Sequence, residues 1–136
     1  MDKKEWSVIF RLQRLLEEKR GSKNNPKELM ASSIISKSRV IADGFNSNKS
    51  HPLQAKHGRN AKAIFLHAEI DAIRRALSTQ PRLDFSRTTM YVVRISSGGL
   101  RLAKPCSGCL GAISAFGLTR VIYSIDQKTF GVLHPL

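Results

Sequence analysis

Acidic residues, cysteines and long apolar runs are all scarce in this sequence. Asp and Glu number 10 against 23 Lys and Arg, a formal charge of +13 over 136 residues. A field of that sign attracts phosphate, on a nucleotide or along a nucleic-acid backbone. No stretch approaches the roughly 20 apolar residues that a membrane-spanning helix needs, so no membrane partner is expected. The first twenty residues, MDKKEWSVIFRLQRLLEEKR, interrupt their apolar positions with charge and do not form a signal peptide, so a soluble, cytoplasmic protein is expected. The two cysteines, Cys106 and Cys109, lie within one pentapeptide, which excludes a disulfide framework. In a reducing compartment such a pair reads as a metal or redox site. Repeats, linkers and composition breaks are also missing, so residues 1–136 read as one domain, large enough to bury a core without a metal staple. Any metal here is therefore expected to be chemical.

What is present sorts into elements. Trp6, Ile9, Phe10, Leu12, Leu15 and Leu16 recur at near-helical spacing among charged residues, predicting an amphipathic helix over 5–19 that Gly21 ends. After a polar loop at 22–26, residues 31–35 and 39–45 around Ser36-Lys37-Ser38 read as a β-hairpin. Residues 46–60 are rich in Asn, Ser, Lys and His and read as a long surface loop. Residues 64–77 suit a buried helix closed by Pro81. Residues 88–96 suit a central strand, turned away by Gly98-Gly99. Pro105 is placed to begin a helix running to Phe116 and stopped by Gly117. Residues 120–125 form another strand. This order predicts an α/β fold, a three-layer αβα sandwich around a mixed sheet of about five strands.

Two short motifs carry chemistry together: His67-Ala68-Glu69 and Pro105-Cys106-Ser107-Gly108-Cys109. Cysteines three apart on a helix share a face, and an imidazole from a neighbouring helix completes three ligands to a tetrahedral zinc ion with one position open. His67 and Glu69 would point about 200° apart on a continuous helix. Both reach one metal only if the metal sits near the helix axis beyond the first turn, so that helix is expected to begin close to His67. Two positive helix ends would then face the site and stabilise the thiolates. Glu69 is left over as the proton carrier. Against this stands a closed zinc knuckle in which His51, His57 or His134 supplies a fourth ligand.

These motifs, in this order, resemble the cytidine and deoxycytidylate deaminase superfamily. The likeness runs through His67-Ala-Glu-Ile-Asp-Ala-Ile73, the strand 91–95, the cysteine helix and Thr119-Arg-Val-Ile-Tyr-Ser124, and it covers about residues 31–124. It implies a cytidine deaminase-like fold, zinc at His67, Cys106 and Cys109, and catalysis by Glu69. Gly44-Phe45-Asn46 looks like the family's Gly-x-Asn segment, which implies that Asn46 contacts substrate, and Ala68 between the two motif residues is carried over as a substrate contact. The chain departs from the family's pattern at Asp71, where many deoxycytidylate deaminases have Asn, and at Lys104, where relatives often carry an acid. The resemblance also implies a homo-oligomer.

The expected reaction is hydrolytic deamination of a cytosine base in a nucleoside or nucleotide, giving the uracil analogue and ammonia. The alternative is cytosine or adenine within single-stranded DNA or RNA, which the charge favours, although no base-stacking platform is visible in the basic loop. Within residues 48–59, Lys49, His51, Lys56, His57 and Arg59 are expected to form a basic lip that holds substrate phosphate. Asp71 is expected to pair with Arg74 and Arg75 on the helix surface, and Tyr123 either to border the pocket or to be a core or edge-strand residue.

Overall fold

The stripe of apolar residues that opens the chain forms helix α1, Lys3–Lys19, with Ile9, Leu12 and Leu16 wholly buried. The computed structural model describes residues 3–21, 28–49, 51–57 and 66–135, so the expected loop at 22–26 and Arg59 of the basic lip lie outside the described residues. The hairpin forms from β1, Leu29–Ser36, and β2, Arg39–Phe45. Its two-residue turn puts both Lys37 and Ser38 at positive φ, 49° and 69°. This backbone matches the twist of the flanking strands and is more often filled by Asn and Gly.

Residues 46–60 are not loop throughout. Pro52–His57 form a short helix, α2. Pro52 supplies no N–H at the first helical position, where none is needed, and the His51 Nδ1 accepts from the Leu53 N–H at 3.1 Å. The apolar reason for the helix is Leu53, which packs on buried Leu66, Ile70, Cys109 and Ala112. Helix α3 spans Ala68–Thr79 rather than 64–77. Strand β3, Thr89–Ser96, follows a 3-10 turn at Phe85–Arg87, and Gly99–Arg101 folds back on it as β4, a strand not expected from its three residues. Helix α4 is Ser107–Phe116, so Pro105 lies two residues before the helix and not at its start. Gly117, at φ 92°, ends it in the left-handed conformation. Strand β5, Val121–Ser124, runs parallel to β3 with α4 as the crossover, and β6, Phe130–Leu133, pairs antiparallel with β5.

The mixed sheet has the order β2-β1-β3-β5-β6, with β4 also on β3. One face, with Ala31, Tyr91, Val93, Ile95 and Ile122, packs on α1. The opposite face, with Ile34, Met90, Val92 and Val121, packs on Ala72, Ile73 and Ala76 of α3 and Ile113 of α4. The expected three layers are there. Tyr123 packs against this second core, with its ring over Gly131, where an added Cβ would come within 2.3 Å of the ring. No described helix is long and apolar enough to cross a membrane.

Candidate metal centre and active site

Helices α3 and α4 both begin with a residue that gives up its usual capping duty. His67 is the N-cap of α3 and Cys106 the N-cap of α4, both extended, and neither side chain caps its helix. N-cap positions favour Ser, Thr, Asp and Asn because their oxygens satisfy the first N–H groups. Here the two side chains turn to each other. His67 Nδ1 lies 3.2 Å from Cys109 Sγ and 3.8 Å from Cys106 Sγ. The ligand atoms of His67, Cys106 and Cys109 all lie within 4.8 Å of one another, and they are the one such group found among the described residues.

Electrostatics make the cluster a cation site. Hydrogen bonds from Cys109 and then His67 pull the Cys106 thiol down to about 3, while the neighbouring Cys106 sulfur and burial push Cys109 well up. Without a cation the two sulfurs share one proton, and the partial positive ends of both helices favour that thiolate. A divalent ion held here by His67, Cys106 and Cys109 would keep both sulfurs as thiolates. One nitrogen and two sulfurs form a donor set that suits zinc, with a fourth position left by the protein.

Glu69 lies two residues into the same turn. It is 2% exposed, and its Oε1 has no hydrogen-bond partner among the described residues. Burial raises its pKa, which the peptide N–H and His67 only partly offset. A buried carboxylate oxygen without a partner costs free energy and is expected where a proton is exchanged with something bound.

The surrounding elements fix these atoms. The carboxylate of Asp71, also 2% exposed, accepts from the Phe45 N–H at 2.9 Å and pairs with Arg74 at 2.7 Å and Arg75 at 2.9 Å. The expected arginine pairs form, but the carboxylate is buried, and it ties the end of β2 to the first turn of α3. Gly44 lets that strand approach: a Cβ there would stand 2.2 Å from Ala72 N and 2.5 Å from Ala68 O. Gln54 is 1% exposed, and its Oε1 accepts from the His67 N–H at 3.0 Å. Nothing in its sequence context distinguished this glutamine from a solvated loop residue.

The other expected site residues are placed as follows. Ala68 is wholly buried at the start of α3. Asn46 uses both ends of its amide on backbone: Oδ1 accepts from the Met30 N–H at 3.0 Å, and Nδ2 donates to the Glu28 carbonyl at 2.7 Å. Lys49 is exposed, and its carbonyl accepts from the Leu66 N–H at 3.0 Å while Ser47 N–H donates to the Leu66 carbonyl at 2.9 Å. These two bonds lay the 47–49 segment beside the residue before His67. The His51 ring caps α2, and His134 Nδ1 faces the Thr119 carbonyl at 3.2 Å, so neither joins the cluster.

A family model described as the cytidine and deoxycytidylate deaminase zinc-binding region matches residues 6–125. No curated protein matches the sequence. Among solved structures, the chain is similar to a dCMP deaminase from the cyanophage S-TIM5, at 15% identity and a TM-score of 0.58, with 93% of this chain and 87% of that one covered. It is also similar to a guanine deaminase from Bacillus subtilis, at 21% identity and a TM-score of 0.59, covering 90% and 64%. A third is a diaminohydroxyphosphoribosylaminopyrimidine deaminase/5-amino-6-(5-phosphoribosylamino)uracil reductase from Thermotoga maritima, at 19% identity and a TM-score of 0.54, covering 92% and 30%. At these identities the likeness is one of fold.

Proposed function

The chain belongs to the cytidine and deoxycytidylate deaminase zinc-binding family, and from that premise we propose that it hydrolyses the exocyclic amine of a cytosine base in a nucleoside or nucleotide. The observation that carries the reading is the buried Glu69 carboxylate, its Oε1 without a hydrogen-bond partner among the described residues, beside the His67, Cys106 and Cys109 donors. A purely structural zinc site has no use for it. Zinc held by these three residues supplies Lewis acidity that brings the pKa of water from 15.7 toward about 7.

Glu69 accepts a proton from the water that attacks the amine-bearing carbon and passes it to the adjacent ring nitrogen. The water's second proton leaves through the same carboxylate with the departing amine, so the products are ammonia and a ring carbonyl. Ala68 and Asn46 border the base in this reading, and Asn46 exchanges at least one of its two backbone bonds to do so. Lys49 and His51, with Lys56 on the exposed face of α2, form the lip toward the substrate's phosphate. An intracellular homo-oligomer belongs to the same reading, and light scattering on the purified protein checks its assembly.

The second reading, deamination of cytosine or adenine in a single strand, is favoured by the charge of +13. Product analysis decides between them. Zinc-loaded protein incubated with cytidine, deoxycytidine, their monophosphates and a cytosine-containing single strand should release ammonia and the uracil analogue from a mononucleotide. Inertness toward every monomer together with turnover of the strand establishes the second reading; inertness toward the whole panel removes cytosine as the substrate.

A further inference from the structure

A cavity of about 720 Å³ lies on the α1 side of the sheet, away from the metal centre, and six cations line it: Lys3, Lys4, Arg11, Lys37, Arg87 and Arg120. Among the described residues Glu5 is the one acid in its wall, and it is engaged by Arg120 at 2.6 Å. Arg11 is likewise held by Asp43 at 2.9 Å. Lys3 and Lys37 are exposed and make no ion pair among the described residues. Between the cations, the floor is Val8, Ile35, Val40 and Tyr91, with Val40 49% exposed. Such a surface suits a ligand that alternates anionic groups with flat apolar ones.

A second hollow shares Lys3 and Ser7 with this one and continues along α1 past Trp6 and Phe10 to Lys128. The Trp6 and Phe10 rings stack at 5.1 Å with 22° between planes, and Phe130 stands edge-on to Trp6 at 5.4 Å. Phe10 remains 45% exposed, which leaves ring surface open to solvent. The stacking platform absent from the basic loop at 48–59 is therefore present on α1, next to a basic cleft.

We infer that this face docks a single-stranded nucleic acid, with phosphates along the cleft and a base stacked on the Trp6–Phe10 shelf. Backbone neutralisation by cations with sequence-tolerant stacking on aromatic rings is how unstructured strands are held. The docked segment is an anchor and does not contain the reacting base. The cleft opens at Thr89, the start of β3, on the sheet face that α1 covers. His67 and Cys106 belong to the helices on the other face, and Asp71 in the first turn of α3 accepts from Phe45 at the end of β2. Phe45 is level, through Ala31, with Val93, four residues along β3 from Thr89 and so roughly 13 Å from it, with the sheet in between. The inference does not depend on which base the metal centre accepts.

Trp6 is the single tryptophan of the chain and therefore reports on the shelf by its own fluorescence. The probe is a 15-nucleotide oligothymidylate, whose base has no exocyclic amine for the metal centre to remove. It should quench Trp6 saturably in low salt, while thymidine monophosphate at the same concentrations should not. Lys37→Ala should reduce the slope of log K against log salt by about 0.7, and Lys37→Ala with Arg87→Ala by about 1.4, one phosphate contact for each cation. Phe10→Ala should weaken binding by about tenfold, and thermal melting of each variant verifies its fold. No quenching in low salt overturns the proposal, as does thymidine monophosphate binding as tightly as the 15-mer. So does a slope that Lys37→Ala leaves unchanged while Lys104→Ala, at the metal end, lowers it. Loss of deaminase activity in Glu69→Gln with strand binding intact shows the two sites to be separate, so either conclusion can fail alone.

Discussion

Glu69 and Asp43 are two acids on the same chain held in opposite ways. Glu69 is buried with an oxygen that no described residue satisfies, a cost the fold carries at a reacting centre. Glu69→Gln keeps size and burial but removes the proton acceptor. It should retain zinc at one per chain while kcat falls by about 1000-fold; full activity would remove Glu69 from the mechanism. Asp43 lies under α1, where burial raises its pKa but hydrogen bonds with Arg11 and Ser33 lower it further, leaving it below its ordinary 3.8. A carboxylate lowered in the folded state adds stability above its unfolded value, and that stability disappears as pH falls through the folded value. Asp43→Asn should therefore cost about 1 kcal/mol at neutral pH, with the difference from wild type closing below about pH 4. Urea melts across pH measure it, and a difference that stays constant with pH would assign the loss to packing alone.

At the scale of elements, the metal centre depends on how closely β2 meets α3. Gly44 permits this because backbone atoms, which cannot swing aside, occupy the space a side chain would take. Gly44→Ala should cost about 3 kcal/mol and lower zinc affinity together with stability, read by denaturant melts and zinc titration; unchanged affinity would show that the helix start is set elsewhere. The sequence made the metal motifs legible because their residue types are rare and their spacing is chemical. It also placed α3's start near His67, since His67 and Glu69 can reach one metal only from a first turn. Composition favoured loop at 46–60, whereas α2 is decided by tertiary burial of Leu53 and Gln54, which leaves no local periodicity. Strand β4 is three residues long, too short to show alternation, and β6 carries Gly131 in its four residues, which weakens any strand pattern. Pro105 suits a helix start, but the cluster requires Cys106 in extended conformation at the N-cap, which moves the helix two residues on.

Across the whole molecule, the sheet separates two surfaces of different chemistry. Zinc held by His67, Cys106 and Cys109 would tie the starts of α3 and α4 together, so it would bind the folded chain far better than the unfolded one. Removing it with a chelator should lower the melting midpoint by about 10 °C, the equivalent of roughly 3 kcal/mol for a chain of this size, and adding zinc back should restore it. The excess of positive charge is not confined to the metal side; it lines the α1 cleft as well. The most direct test of the account is X-ray absorption at the zinc edge of the loaded protein. It should show two sulfurs at about 2.3 Å and two lighter atoms near 2.0 Å, with one of the lighter atoms exchanging for an added anion while the sulfurs and the imidazole stay. Zinc coordinated by two histidines, or lacking both sulfurs, would contradict it.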